Sequence, residues 1–248
     1  MKRYFIEIMY NGTNYHGWQI QPNSKTVQEE LEESISIILR QKINVVGAGR
    51  TDAGVHAKQF FAHFDYDSSL INNNSIFRLN SILPNDICVK SITNVNCNAH
   101  SRFDATSRTY EYIINQSKNP FLTKSAYYLN KQLNLKDMCK ATNFLFDFSD
   151  FTSFSKLHTQ TKTNNCKIKN AYWKQNDDTI VFTIEADRFL RNMVRAIVGT
   201  LIDVGINKIT VNDFIEIIKF KDRSRAGKSV PPHGLYLTKV CYPESVWI

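Results

Sequence analysis

Stretches that alternate every second residue and stretches that repeat every 3.6 residues follow one another along this chain, and their order constrains the fold most. Arg3 to Met9 alternates as a strand, with Tyr4, Ile6 and Ile8 on one face. Asn11-Gly12 and Pro22-Asn23 mark a long connection. Thr26 with Glu29 reads as a capping box, and Val27, Leu31, Ile35 and Ile38 then form one helical stripe ending near Arg40. A short buried strand over Ile43 to Val46 leads into GAGRTDAGVHA (47–57). The next strand, Lys58 to Asp67, places Phe60, Ala62 and Phe64 on one side. Asn72-Asn73-Asn74 reads as a loop, Ser75 to Leu83 as a short helix and Ile87 to Val95 as a strand. The order is β-α-β-β-α-β, the split βαβ pattern of ferredoxin-like domains.

The second half repeats that order. Thr109 to Asn115 is a strand with Tyr110, Tyr112 and Ile114 on one face, followed by a helix from Leu135 to Phe146. Cys166 to Lys174 and Thr179 to Ala186 read as strands, Phe189 to Val204 and Val211 to Phe220 as helices, and Leu235 to Tyr242 as the last strand. The expected class is α+β: two ferredoxin-like (split βαβ) halves with mixed or antiparallel sheets around a central basic cleft. The expected domains are 1–104 and 105–248, with the seam near 99–108.

The chain has 248 residues, room for two domains of roughly 100–200. At that size folding buries about 70–75% of the unfolded surface, so the core needs no disulfide or metal. The 42% apolar and 22% charged content excludes global disorder. No apolar run approaches the ~18–20 residues of a membrane span. Glu7 interrupts any signal-peptide core in MKRYFIEIMY, so the mature chain is expected to begin there and to be cytoplasmic. Cys88, Cys97, Cys139, Cys166 and Cys241 are odd in number and scattered, which argues against a disulfide framework or a structural zinc site. His56 and His63 are seven apart, which matches no metal motif.

The net charge is +8 and is unevenly spread. Residues 1–100 hold nine basic and nine acidic side chains, whereas 101–248 hold 22 and 14. Such a surplus fits either a solubilising surface or a polyanionic partner.

Three segments have the composition of a site. Gly47, Gly49 and Gly54 follow a strand but open no helix, and neither Gly49–Gly54 nor Gly12–Gly17 is followed by the lysine of a P-loop. These glycines read instead as a sharp turn that presents Arg50, Thr51 and Asp52. In ADRFLRNMVRAIVG (186–199), Arg188, Arg191 and Arg195 fall at i, i+3 and i+7 on one helical face, either solvated or suited to phosphate or carboxylate. In SRFDATSRTYEYII (101–114), Tyr110 and Tyr112 alternate together, as core rings or as a platform on which a base stacks. On residues alone, a non-catalytic RNA-binding module and an enzyme acting on a phosphorylated metabolite stand beside an RNA-modifying enzyme.

Taken together these segments resemble the tRNA pseudouridine synthase A family. The resemblance runs through MYNGTNYHGWQIQ (9–21), GRTDAGVHA (49–57), RLNSILPNDI (78–87), residues 101–112, DFTSF (150–154), FLRNMVRAIVG (189–199) and HGLYLTKVCY (233–242), and spans roughly residues 1–245. GRTDAGVHA is the most specific block. Ser149-Asp150 and Ala186-Asp187-Arg188 depart from the family pattern. The resemblance implies isomerisation of uridine to pseudouridine at positions 38, 39 and 40 of the tRNA anticodon stem-loop. It implies a catalytic aspartate and base flipping, no cofactor, no metal and a homodimer. By position, Asp52 matches the catalytic aspartate, and Arg50 the arginine that helps hold the flipped nucleotide. Tyr110 matches the aromatic that packs on the target base, Arg195 the arginine that pairs with the catalytic carboxylate, and Leu235 an apolar cleft residue.

Overall fold

A computed structural model of the chain describes residues 1–67, 73–156 and 163–248. Its strands and α-helices are, in order, β1 (Lys2–Tyr10), α1 (Val27–Leu39), β2 (Val46–Gly47), β3 (His56–Tyr66), α2 (Asn73–Ile82), β4 (Ile87–Val95), β5 (Ser107–Asn115), β6 (Tyr127–Tyr128), α3 (Leu135–Asn143), β7 (Ile168–Asn176), β8 (Thr179–Ala186), α4 (Met193–Gly205), α5 (Val211–Phe220) and β9 (Leu235–Cys241). The chain divides into two units, Met1–Thr106 with Tyr236–Ile248, and Ser107–Leu235. The expected cut into two contiguous pieces at 104/105 therefore misses the return of the last thirteen residues to the first unit. The charge divides with the units: the first is neutral, and the second, with 20 basic and 12 acidic residues, holds the whole surplus.

In the first unit β4, β1, β3 and β2 lie side by side, each antiparallel to its neighbour. Each helix thus connects strands that have one other strand between them, as in a split βαβ. β2 pairs with His63 and Ala62 of β3, and β9 runs parallel to β3 at His56 and Ala57. Alternation sorts β1 into two covered faces. Tyr4, Ile6 and Ile8 are buried with Phe60, Ala62 and Phe64 of β3. On that side Ile35 and Leu39 of α1 and Leu79 of α2 meet Phe64 and Ile92. Phe5 faces the other way and is equally buried, edge-on to Tyr242 at 5.1 Å and Trp247 at 5.8 Å, with Phe61 beside them. The sequence pattern names only the first of these faces. The second exists because the chain's end folds back, with Asn96 N–H donating to the Val246 carbonyl at 3.0 Å.

α1 starts where expected, with the Thr26 hydroxyl accepting from Glu29 N–H at 3.4 Å. Residues 43–45 are buried at Ile43 and Val45, but they are not a strand. Side chains of α1 satisfy their backbone in place of a neighbouring strand. Ser36 Oγ accepts from Ile43 N–H at 2.9 Å, Glu32 from Val45 N–H at 2.9 Å, and Gln28 Nε2 donates to the Val45 carbonyl at 3.0 Å. Asn73 and Asn74 open α2 rather than continuing a loop, and Asn72 lies outside the described residues.

The second unit has the strand order β5-β8-β7, antiparallel, with β6 parallel to β5. Tyr112, Ile114, Phe182 and Ile184 are fully buried. Trp173 lies 4.7 Å from Phe182 and donates its indole N–H to Thr142 of α3 at 3.0 Å, so a strand and a helix are joined by one ring. The helix expected over 135–146 is α only to Asn143 and tightens to a 3-10 turn over Phe144–Asp147. The helix expected from Phe189 begins at Met193, because Asn192 adopts φ +67°.

His63 offers a stability test. It is buried, with Nδ1 accepting from Ser101 N–H at 3.2 Å and lying 2.9 Å from Ser101 Oγ. Burial, then the Arg3 cation and His100, hold its imidazolium down to about 4, against the opposing pull of Asp65 and Asp104. In the unfolded chain it titrates near 6.5. Its stabilisation is therefore complete above pH 6.5 and is lost as pH falls toward 4, by at most on the order of 3 kcal/mol. Urea unfolding of His63→Gln between pH 7 and 4.5 is expected to show a shallower fall in stability than wild type; parallel curves would contradict a buried neutral imidazole.

Candidate active site

Asp52 lies on the loop between β2 and β3, half-buried, with Arg50 exposed beside it. Val55 N–H donates to the Asp52 carbonyl at 3.2 Å and closes a four-residue turn. The third residue of that turn, Gly54, has φ +76°, a conformation that favours glycine. Thr51 is not presented with its neighbours as the sequence suggested. It is turned inward, its hydroxyl 2.9 Å from the buried Tyr10 hydroxyl.

The segment after β1 holds this loop. Gly54 N–H donates to the Tyr15 carbonyl at 3.2 Å, Trp18 N–H to the Thr51 carbonyl at 3.3 Å, and Gly12 N–H to His56 Nδ1 at 3.0 Å. The two backbones touch. A Cβ at Gly12 would sit 2.0 Å from the Val55 oxygen, and one at Gly17, itself at φ +94°, 2.3 Å from the Thr51 oxygen. Trp18 packs on Phe60 at 4.2 Å and against Gly47, which secures the loop's other end. His56 stacks on Tyr236 at 4.6 Å, and the Lys58 ammonium lies over the same ring at 5.2 Å.

Tyr110, Arg195 and Leu235 belong to the second unit. Tyr110 is half-buried on β5, with its ring perpendicular to Phe189 at 5.1 Å. Arg195 stands in the first turn of α4, a helix otherwise almost wholly buried. Its Nε donates to the Val230 carbonyl at 2.8 Å, and its own carbonyl accepts from Val230 N–H at 3.2 Å. The guanidinium plane is thus set by backbone. Its field is felt nearby: burial, and less strongly the Arg195 cation, lower the pKa of His233. Leu235 is buried.

Arg188 and Arg191 do not share a helical face with Arg195, since both precede α4. Asp187 organises that turn, its Oδ1 accepting from Arg188 N–H and from Lys167 N–H, each at 2.7 Å. Asp150, next to the departing Ser149, is likewise held in local structure. It accepts from Thr152 N–H at 3.0 Å and pairs with Lys221 at 2.9 Å. Among the described residues no group of three or more His, Cys, Asp or Glu side chains is placed to hold a metal ion, and no helix is long and apolar enough to cross a membrane.

The family profile described as tRNA pseudouridine synthase matches residues 7–104 and 148–243, which take in the Asp52 loop, α4 and β9. The chain belongs to that family, and so to a class of isomerases that convert uridine to pseudouridine. The protein named tRNA pseudouridine synthase A of Parabacteroides distasonis is 53% identical over all of this chain and 98% of its own length. The proteins of the same name from Azobacteroides pseudotrichonymphae and Thermoanaerobacter pseudethanolicus are 51% and 40% identical, over 100% and 98% of this chain and 99% and 100% of their own. The chain falls among the tRNA pseudouridine synthases A. Among solved structures, a chain of a Cbf5–Nop10–Gar1 complex matches 94% of this chain and 57% of its own length at 10% identity and a TM-score of 0.36.

Residue-by-residue reading missed Tyr10, Gly12, Tyr15, Gly17 and Trp18, which it took as connection. Their only signal was the block MYNGTNYHGWQIQ, since neither period nor charge marks a backbone cradle. Gly17→Ala should therefore slow single-turnover pseudouridine formation by at least about tenfold through displacement of Thr51 and Asp52. Its cost in stability should stay within about 1–3 kcal/mol. An unchanged rate would show that the loop tolerates the shift.

Proposed function

We propose that the protein isomerises uridine to pseudouridine at positions 38, 39 and 40 of the tRNA anticodon stem-loop, with Asp52 as the catalytic carboxylate. The observation that carries this reading is the GRTDAGVHA loop, in which a half-buried aspartate is held by backbone contacts on both sides. The uracil N1–C1′ bond breaks, the ring turns, C5 bonds to C1′, the C5 proton leaves and N1 gains one. A stacked base cannot turn in this way, so the nucleotide leaves the stem at a cost of a few kcal/mol. Exposed Arg50 contacts its phosphate, the Tyr110 ring packs on the extruded base and Leu235 lines its apolar side. Arg195 takes the part of the arginine that orients the catalytic carboxylate. Attack on C6, attack on C1′ and proton removal through a glycal all begin from that carboxylate. No cofactor takes part.

The second unit's surplus of charge supports its role as the binding term for RNA phosphates. The working form is a homodimer in the cytoplasm.

Asp52→Asn is expected to abolish pseudouridine formation while the tRNA dissociation constant stays within about threefold, because affinity rests on many phosphate contacts. Wild-type turnover by that variant would remove the assignment. Wild-type tRNA affinity should fall at least about tenfold between 50 and 200 mM salt. A flat log–log plot of affinity against salt would count against the basic unit as the RNA grip.

A further inference from the structure

The segment that cradles the Asp52 loop is tied in its first half to Asp86, which immediately precedes β4, and in its second half to the start of α1, where Val27 and Gln28 N–H donate to the Gly17 and Trp18 carbonyls at 3.2 and 3.0 Å. Asp86 meets it three times. Its backbone carbonyl accepts from Asn11 N–H at 2.9 Å, Oδ2 accepts from Asn14 Nδ2 at 2.9 Å, and Oδ1 accepts a short hydrogen bond from the Tyr15 hydroxyl. Tyr15 is buried, with the Lys25 ammonium 5.6 Å from its ring centroid and paired to Glu30 at 2.8 Å. Burial first, then the hydrogen bond to Asp86, raises the Tyr15 pKa, so the phenol remains a donor throughout the neutral range. At its other end the Tyr15 carbonyl accepts Gly54 N–H, in the turn that carries Asp52. A single residue therefore spans from the Asp86 carboxylate to the reactive loop.

We propose that Asp86, acting through Tyr15, is a positioning residue that sets the register of the Asp52 turn against the segment 11–18. The inference rests on the reading of Asp52 as the catalytic carboxylate. The turn and the cradle, apart from one 3-10 turn at Gly12–Asn14, lie outside the strands and α-helices, so neither has a strand ladder of its own to fix it. A displacement of about 1 Å at a reacting group can cost about 10²-fold in rate. A mere staple would change melting temperature and leave the rate well below melting untouched.

The test uses the full chain and an unmodified tRNA transcript, with Asp86→Ala, Asp86→Asn, Tyr15→Phe and Asp52→Asn side by side. Single-turnover rate at saturating enzyme, tRNA dissociation constant and hydrogen exchange of the peptide 50–56 are measured. Asp86→Ala should slow turnover at least about tenfold, with affinity held within about twofold and exchange in 50–56 accelerated. Tyr15→Phe, which loses only the hydroxyl, should slow turnover about three- to tenfold, and it decides the matter if Asp86→Ala does not fold. Asp86→Asn keeps an acceptor for Tyr15 and should recover most of the lost rate. Wild-type rates for Asp86→Ala and Tyr15→Phe beside an inactive Asp52→Asn would overturn the positioning role alone. A rate loss explained by an equal loss of affinity would do the same. Turnover by Asp52→Asn would overturn both readings.

Discussion

Two stretches of irregular backbone lie against each other in the first unit, and the candidate active site depends on that contact. Apart from one 3-10 turn at Gly12–Asn14, residues 11–18 and 51–55 have no strand or helix to satisfy their N–H and C=O groups, and in part they satisfy each other. This requires an approach closer than any side chain permits, which is why Gly12 and Gly17 stand opposite the Val55 and Thr51 carbonyls. The candidate aspartate is therefore placed by main chain, whose geometry varies less than that of long side chains. Buried Thr51, Tyr10 and Trp18 fix the loop from beneath.

The second unit uses the same device around Arg195. Gly199 of α4 leaves room for the Lys228 carbonyl, which a Cβ would meet at 1.9 Å. The segment that follows can then offer carbonyls inward. Val230 takes the Arg195 Nε, and Pro231 takes the Tyr112 hydroxyl at 2.8 Å. A cation on an otherwise buried helix and a fully buried tyrosine are each given a backbone partner, as burial demands.

Most of the element order was legible from periodicity, because the period of a strand differs from that of a helix and most elements here obey one of them. Ile87–Val95, Thr179–Ala186 and Val211–Phe220 fall on the expected residues. The failures have particular causes. Val45 is as buried as a strand residue, but Glu32 and Gln28 of α1 occupy its backbone. Phe189 to Asn192 has helical spacing, yet Asp187 draws the amide of Arg188 toward itself and Asn192 takes a left-handed turn, which removes Arg188 and Arg191 from the face of Arg195. Side-chain hydrogen bonds to backbone compete with secondary structure in a way no periodic pattern records.

The sequence by itself determined the α+β class, the family, the residue that carries the candidate carboxylate and the half of the chain that holds the positive charge. These follow from local spacing, from a specific block of residues and from composition. Only the tertiary structure decided that residues 236–248 complete the first unit, that Phe5 has a second covered face, and that Asn11 to Trp18 is a support for Asp52 and not a linker. Each of those depends on pairing between residues far apart in the chain. Such pairing is set by which backbones can approach and which polar groups would otherwise be left unsatisfied, and neither is written in the spacing of neighbouring residues.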